Sequence, residues 1–369
     1  MRFVHSSDIH LAKRFGGFDE DVRGVLMEAR ERALDGLAAA ARSAGAEVVL
    51  LAGDTFDAAT PAPRVVRQAL QAMAAADDLS WIVLPGNHDA LRATALWEDM
   101  ARACPENVHL ALEPTPIRLA GGVILPAPVT ESAPGRDLTQ WMDDAESADE
   151  IRVGLAHGPV SSFSSTPDPG AIDPDRVRSA SLDYLALGDW HGQSRVGPRV
   201  CYSGTPERDG FRQASSGTAL VVDIPAPGAD PTISTVPVGR YAWIAPTIDA
   251  QTGASAGAQL RRSLPEAGHR RDCLVRLKLE GRVSLSERAA LLEEIAAIAP
   301  DFRVFETDLS KLAIARMSGD LDEIAPRGAL RDAADRLAAQ AESEADAGRA
   351  ACARDALALL FDMSMEAGS

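Results

Sequence analysis

The chain has 369 residues, of which 46% are hydrophobic, and its 54 acidic and 37 basic side chains give a formal net charge of -17 at pH 7. This acidic balance excludes a protein that coats nucleic acid through bulk charge, because a polyanion is repelled by an acidic surface. No apolar run approaches the ~18 residues of a membrane span, and the start MRFVHSSDIHLAKRF lacks the apolar stretch of a secretion signal. We therefore expect a cytoplasmic protein with no membrane partner.

Short apolar strands alternate with amphipathic helices along the first third of the chain. RFVHS predicts a strand, and residues 19–45 predict one long helix that Gly45 closes. AEVVLLAGDTFD and LSWIVLPGNHDA are continuous apolar runs too short for helices, which is typical of strands buried on both faces. The alternation predicts an α/β fold with polar side chains collected at strand ends, where ligands bind in such sheets.

The later strands change in character. EIRVGLAHGPV and LDYLALGDWHG each end in a histidine, and RVCYSGTPER, GTALVVDIP and PTISTVPVGRY predict strands without long helices between them. Two further strands, RDCLVRLKLEG and DFRVFETDLS, flank a helix that begins with a capping box in which Ser284 precedes Glu287 by three. The Ala- and Glu-rich C-terminal stretch predicts a helix interrupted near Gly348. We expect domains at 1–240 and 241–325 and a helical segment at 326–369.

Five loops collect side chains that bind hard metal ions. Carboxylate oxygen together with imidazole nitrogen suits Mn, Fe or Zn, and the lack of cysteine in the set argues against a structural zinc site. A carboxylate bridging two ions would allow a phosphate to be clamped and water to be activated. Metal-holding carboxylates count in the net charge, so that charge does not exclude a nuclease. The residues are Asp8 and His10, Asp54, Asn87 with His88 and Asp89, His157, and Asp189 with His191.

The motifs DIH, GDTFD, GNHD, AHG and GDWH together resemble the calcineurin-like metallophosphoesterases. FVHSSDIHL and YSGTPE most resemble the SbcD-type nuclease subunits of SbcCD DNA repair complexes, and the likeness covers about residues 1–210. The resemblance implies a four-layer α-β-β-α sandwich, a smaller α+β capping module and a helical tail. It also implies hydrolysis of phosphodiesters with two divalent ions, with Mn favoured over Fe, Zn or Mg.

The resemblance also assigns roles to the residues in these motifs. Asp8, His10 and His191 would hold one metal, Asn87, His157 and Asp189 would hold the other, and Asp54 would bridge them. His88 would lie over the phosphate and protonate the leaving oxygen, with Asp89 holding its ring. A turn-stabilising role is the alternative for Asp89.

One position departs from the family pattern. Members carry Gly-His-x-His where this chain has Gly-Asp-Trp-His, so Asp189 replaces a histidine ligand. Aspartate can still bind a divalent ion and favours harder cations such as Mn, which is the interpretation we prefer; the alternative is a second metal that is weakly bound or lost. For Trp190, a ring packed beside the site is favoured over a ring that stacks on a base.

Three functions are compatible with these residues. The first is a DNA exonuclease or endonuclease, the second a phosphodiesterase for cyclic nucleotides or other small diesters, and the third a scaffold with an altered second metal site. The densest basic region would contact DNA or would be a solvated loop; it comprises Arg261, Arg262, His269, Arg270 and Arg271.

The C-terminal stretch ARDALALLFDMSME has apolar residues at helical spacing, namely Leu357, Leu360 and Phe361. By the resemblance it would dock onto an SMC-like ATPase subunit of the SbcC type; the alternative is packing on its own domain. A homodimer is a further expectation.

Overall fold

The fold is taken from a computed structural model that describes residues 1–119, 121–145, 149–161, 168–212, 217–250, 256–314, 327–342 and 347–368. In the last of these ranges the side chains of 348–360 and 363 are described. The chain divides into two units, Met1–Ala242 and Trp243–Ser369. None of the described helices is long and apolar enough to span a membrane.

The first unit contains two six-stranded sheets. The first sheet has the strand order β12-β11-β1-β2-β3-β4 and the second has the order β5-β6-β7-β8-β10-β9. The strands are β1 (Arg2–Ser6), β2 (Val48–Leu51), β3 (Ser80–Val83), β4 (Val108–Leu110), β5 (Ile117–Leu119), β6 (Gly122–Ala127), β7 (Arg152–His157), β8 (Tyr184–Gly188), β9 (Ser194–Gly197), β10 (Val200–Tyr202), β11 (Thr218–Asp223) and β12 (Thr232–Pro237).

Most neighbouring strands within each sheet run parallel. β1, β2, β3 and β4 are parallel in the first sheet, and β6, β7, β8 and β10 are parallel in the second. The remaining pairs, including β1 with β11, are antiparallel. The helices of this unit are α1 (Glu20–Glu31), α2 (Ala33–Ala44), α3 (Pro63–Ala74), α4 (Thr94–Arg102) and the short α5 (Arg176–Ser179).

The alternation of side chains along β2 shows how the layers form. Val48 and Leu50 belong to the apolar core between the two sheets, whereas Val49 and Leu51 belong to the core shared with α2, α3 and α4. Successive residues of a strand point to opposite faces, so a strand covered on both sides must be apolar throughout. A further core, with Leu125 and Leu187, covers the outer face of the second sheet. The predicted α-β-β-α sandwich is confirmed.

The prediction of a single helix over residues 19–45 is wrong in one respect. The segment forms two helices, α1 and α2, separated by Arg32. Gly45 does close the second helix, with φ of 65°, the left-handed conformation that glycine adopts without steric cost.

The second unit combines a sheet with helices. Its strands are β13 (Ala242–Ile244), β14 (Thr247–Asp249), β15 (Cys273–Val283) and β16 (Val304–Ile314), and its helices are α6 (Ala256–Ser263), α7 (Leu285–Ile298), α8 (Ala329–Ala341) and α9 (Ala347–Gly368). Ser284 and Glu287 form the predicted capping box at the start of α7. Ala334, Ala338 and Leu357 share an apolar cluster with Leu285, so α8 and α9 pack on α7.

The buried imidazole of His5 on β1 is neutral in the folded protein. Nδ1 lies 3.1 Å from the Tyr184 hydroxyl and Nε2 lies 3.2 Å from the carbonyl oxygen of Leu187, so Nε2–H donates and Nδ1 accepts. Burial lowers the pKa of His5 from 6.5 to about 3, although the Leu187 carbonyl and the charge of Asp8 act in the opposite direction.

We expect His5 to destabilise the fold in acid. Because its folded pKa is below its unfolded pKa, the unfolded state binds a proton first as pH falls from 6.5 towards 3, and stability is lost throughout that window. The side chain of His5→Gln can still donate to Leu187. Between pH ~7 and ~4 the free energy of unfolding of this variant should fall by about 3 kcal/mol less than that of the wild type. Urea unfolding in the presence of a chelator measures the difference; parallel pH profiles would contradict it.

Candidate metal centre

The expected metal ligands follow strands of both sheets. Asp8 and His10 come after β1, Asp54 after β2 and Asn87 after β3, whereas His157 ends β7 and Asp189 and His191 follow β8. Because these strands are parallel within each sheet, their carboxyl ends meet at one edge, and the loops there converge. The fold thus brings all seven expected ligands to one end of the sandwich.

The first group of donors consists of Asp8, His10 and His191. Nε2 of His10 and Nε2 of His191 lie 3.1 Å apart, and Oδ1 of Asp8 is 3.9 Å from the first and 3.8 Å from the second. The three side chains can present one ligand atom each to a single ion. This is the set that the resemblance assigns to one metal.

A second group forms around His157. Its Nε2 lies 3.3 Å from Oδ1 of Asn87 and 3.9 Å from Oδ1 of Asp189. Oδ2 of Asp54 lies 3.6 Å from this nitrogen and 3.7 Å from Nε2 of His10. A single oxygen of Asp54 therefore faces both groups, which is compatible with a bridging carboxylate.

The chemistry and spacing of these donors fit two divalent ions. Ligand atoms about 2.0–2.2 Å from a shared ion are separated by roughly 3–3.6 Å. The donor atoms of the two groups lie 3.1 to 3.9 Å apart, so small shifts would bring them to these separations. Asp8, His10 and Asp54 are each no more than 2% exposed. Buried carboxylates need a compensating positive charge, and a bound cation supplies it.

The pKa values of these side chains reflect the same burial. Loss of solvent raises the pKa of Asp54, and the negative charge of Asp8 adds to this while His157 opposes it. Burial likewise raises the pKa of Asp189. Burial lowers the pKa of His157, but the charges of Asp54, Asp8 and Asp189 outweigh it and the pKa is raised. Excess negative charge therefore surrounds the histidine.

Backbone strain is concentrated at the ligands. Asp8, His10 and Asp54 have φ of 55°, 48° and 54°, and Asp189 has φ of 102°. Left-handed φ values are uncommon in residues with a side chain, and they persist where the surrounding structure enforces them, which is often at functional sites.

Two glycines beside the ligands are required by close approach. A Cβ atom at Gly53 would lie 2.3 Å from Nδ1 of His157, and one at Gly188 would lie 1.9 Å from the carbonyl oxygen of Ala52. Neither distance is compatible with a side chain. The Gly-Asp pairs of GDTFD and GDWH therefore let the loops of the two sheets meet around His157.

Groups outside the donor set orient the histidines. Nδ1 of His157 donates to the carbonyl oxygen of Ala52 at 2.8 Å, which turns the Nε2 lone pair towards the site. Nδ1 of His10 lies 3.3 Å from Oδ1 of Asp57. Burial raises the pKa of Asp57, but the contact with His10 and the charge of Lys13 outweigh it and the pKa is lowered. The sequence analysis missed Asp57, although it stands three residues after Asp54 in GDTFD.

The YSGTPE loop supports the first group of ligands. The hydroxyl of Ser7 donates to Oδ2 of Asp8 and lies 3.0 Å from the hydroxyl oxygen of Ser203. The amide of Thr205 donates to the carbonyl oxygen of His191 at 3.1 Å. This motif therefore positions Asp8 and His191 through hydrogen bonds.

A buried arginine on α1 is a second feature that the sequence analysis missed. Arg30 is 1% exposed and donates to the carbonyl oxygen of Glu207 at 2.6 Å and to Oδ2 of Asp209 at 3.2 Å. The same carboxylate oxygen lies 2.8 Å from Nζ of Lys13 and 3.8 Å from Nδ1 of His191. The helical pattern of α1 alone does not distinguish Arg30 from Arg23, the other arginine of this helix.

The expected role of Asp89 is wrong. Its two carboxylate oxygens accept hydrogen bonds from the amides of Gly86 at 2.6 Å and Phe56 at 3.0 Å, and burial raises its pKa to about 6. Nδ1 of His88 instead lies 3.0 Å from the carbonyl oxygen of Asp57. Asp89 therefore stabilises the turn, which was the alternative, because the backbone amides around it need a buried acceptor.

Trp190 lies between Asp189 and His191 and is largely exposed, and its packing beside the site stays a prediction. Its side chain is 56% exposed, whereas Trp81, Trp97 and Trp243 are each at most 4% exposed. The difference arises because Asp189 and His191 take the inward positions of this loop. Asp189 itself lies near His157, and its amide lies 3.2 Å from Oδ2 of Asp8.

The family model for calcineurin-like phosphoesterases matches residues 1–193. This is more than half of the chain, and the chain therefore belongs to the calcineurin-like phosphoesterase family, whose members are metal-dependent phosphoester hydrolases. Among solved structures, the crystal structure of TT1561 of Thermus thermophilus is similar, with 14% identity and a TM-score of 0.43, covering 64% of this chain and 98% of that chain. No curated protein sequence matches this chain.

We expect two divalent ions per chain, held unequally. Asp54→Asn should weaken both, since Asp54 faces both groups, whereas Asp189→Gly should weaken one by at least about tenfold. Glycine at 189 tolerates φ of 102°, so the change removes the carboxylate without adding backbone strain.

Metal content after dialysis and calorimetric titration with Mn measure these losses. Asp230→Asn, at an exposed carboxylate that pairs with Arg199, is the control and should retain both ions. Unchanged metal binding in Asp189→Gly would show that Asp189 is not a ligand.

Proposed function

We propose that this chain is the nuclease subunit of an SbcCD-type DNA repair complex and hydrolyses DNA phosphodiesters with two divalent ions, Mn foremost. One observation carries the proposal: an exposed histidine, His88, lies beside the buried metal ligands. Its ring centroid is 4.8 Å from that of His10. A phosphate reaching the metals from solvent would therefore meet the His88 ring. FVHSSDIHL and YSGTPE support the nuclease subfamily.

The residues around the phosphate have separate tasks. Bound divalent ions would supply Lewis acidity, withdrawing charge from the phosphoryl group and lowering the pKa of water. Nδ1–H of His88 donates to the carbonyl oxygen of Asp57, so Nε2 is the nitrogen that can exchange a proton with substrate. As water attacks phosphorus and gives its proton to solvent, the bond to the leaving oxygen breaks, and His88, protonated on both nitrogens, donates its Nε2 proton to that oxygen and becomes neutral.

The expected basic region gives limited support to DNA binding. Arg261 is paired with Glu294 at 2.6 Å and Arg270 with Asp301 at 2.9 Å, so two of its four arginines are neutralised. Arg262 and Arg271 remain exposed. Contacts with phosphates along a strand would therefore be few, and the metal centre would supply most of the affinity.

A cavity favours small phosphodiesters as the second candidate substrate. It encloses about 440 Å³ beside Asn87, His157 and Asp189, and small residues such as Gly158 and Gly170 line it. This volume is in the range of small-molecule sites. A compact substituent on the phosphate would fit there without an extended nucleic-acid groove.

Exposed apolar residues on the C-terminal helix support the proposal of an ATPase partner, but they are not the residues expected from the sequence. Leu357 and Leu360 pack in the apolar cluster of their own unit, and the Phe361 side chain lies outside the described residues. Leu359 and Met363 are 60% and 59% exposed and are four residues apart, which places them on one face of α9. We propose this face as the docking site for an SMC-like ATPase.

The nuclease proposal predicts Mn-dependent digestion of linear and hairpin DNA by the purified chain. His88→Ala should lower kcat by about 10²–10⁴ with metal content unchanged, because it removes the proton donor and no ligand. His109→Ala on β4 is the matched control and should retain activity. Hydrolysis of small diesters without DNA cleavage would favour the second candidate; no hydrolysis of either would overturn both.

The partner proposal predicts loss of binding in the double variant Leu359→Glu and Met363→Glu. The binding partner is the coiled-coil ATPase encoded beside this chain, if one is present, and complex formation is measured by light scattering. Leu330→Glu, at another exposed leucine, is the control. If the wild type instead forms a homodimer that the double variant disrupts, the face is a self-association surface and the ATPase proposal is wrong.

A further inference from the structure

Trp190 lies between two residues of the metal centre. Consecutive Cα atoms are about 3.8 Å apart, so the indole begins one residue from Asp189 and one residue from His191. Its side chain is 56% exposed, the largest exposed aromatic surface among the described residues. An apolar ring of this size beside a polar centre is a contact surface for a ligand that reaches the centre.

The indole has a defined place beside the loop. A Cβ atom at Gly192 would lie 3.1 Å from Nε1 and 3.5 Å from Cδ1 of Trp190, so the edge of the ring lies close to the Gly192 backbone. The flanking residues limit the loop further, since Asp189 has φ of 102° and its amide contacts Asp8. A ring that is already positioned loses little conformational entropy when a ligand stacks on it.

The charges in the cavity beside Asp189 limit the chemistry of a ligand at the metal centre. Among the described residues that line this cavity, Asp168 and Asp189 are acidic and His157 is the one basic side chain. An anionic substituent would be repelled there, whereas a neutral aromatic ring would not. A nucleobase is neutral and flat and is linked to the phosphate through one sugar, which suits a ring placed next to the metal ligands.

We propose that Trp190 stacks on the nucleobase adjoining the scissile phosphate and so directs the site towards nucleotide diesters. This inference rests on the proposed function and adds the substrate class that the metals, which contact only phosphate, do not select. Stacking is tolerant of base identity, because every base has a π-face. Trp190 would therefore favour nucleotides over other diesters without reading sequence.

Two esters with the same leaving group test the proposal. Thymidine 5′-(p-nitrophenyl phosphate) and methyl p-nitrophenyl phosphate share the scissile bond and differ in the nucleoside. Trp190→Ala should raise KM for the thymidine ester by about 5- to 150-fold, from a stacking contribution of ~1–3 kcal/mol, and leave kcat and the methyl ester unchanged. Trp190→Phe, which keeps a ring, should lose less. Equal losses on both esters would overturn the proposal.

Tryptophan fluorescence gives a readout that does not depend on turnover. In a His88→Ala background loaded with Mn, a thymidine dinucleotide should quench the emission, and His88→Ala with Trp190→Phe should not show the quenching. Equal quenching in both proteins would overturn the proposal. If the wild type hydrolyses neither ester, the proposed function fails while the quenching still decides the role of Trp190.

Discussion

The burial of carboxylates at the carboxyl ends of the strands is the constraint on which this structure depends. Asp8, Asp54 and Asp89 are at most 2% exposed and lie in neighbouring loops of one unit. Leaving such groups charged costs several kcal/mol each unless cations or hydrogen-bond donors compensate. The carboxylates of Asp8 and Asp54 face histidine nitrogens and would be compensated by metal, whereas backbone amides compensate Asp89.

Much of the surrounding structure holds these groups in place. Residues with left-handed φ turn the ligand side chains inward, and glycines before Asp54 and Asp189 let the loops of the two sheets approach His157. Behind them, Arg30 joins α1 to the loop at Glu207 and Asp209, and the YSGTPE loop contacts His191 and the hydroxyl of Ser7, which donates to Asp8. These contacts hold the donor side chains in place, which is what a site that must place a phosphate accurately requires.

The balance of charge away from the metals bears on substrate recognition. The net charge is -17, and two of the four arginines of the expected basic region, Arg261 and Arg270, are in ion pairs. Recognition would therefore depend on groups close to the reacting phosphate. The exposed His88 and Trp190 are such groups, and they differ in kind: one exchanges protons, and the other offers an apolar face.

The sequence by itself indicated an α/β alternation, most of the strands and the candidate ligands, because apolar runs that end in Gly-Asp or His carry that information locally, whereas the four-layer sandwich was implied by the resemblance of the motifs to a family. The tertiary structure decided what depends on contacts distant in the chain. Asp57 and Arg30 act through His10 and Asp209, Asp89 binds backbone amides instead of the His88 ring, and Leu357 turns inward while Leu359 remains exposed. These contacts form only when the two sheets and their helices pack, because they join residues that are distant in the chain. No local pattern of residues therefore predicts them.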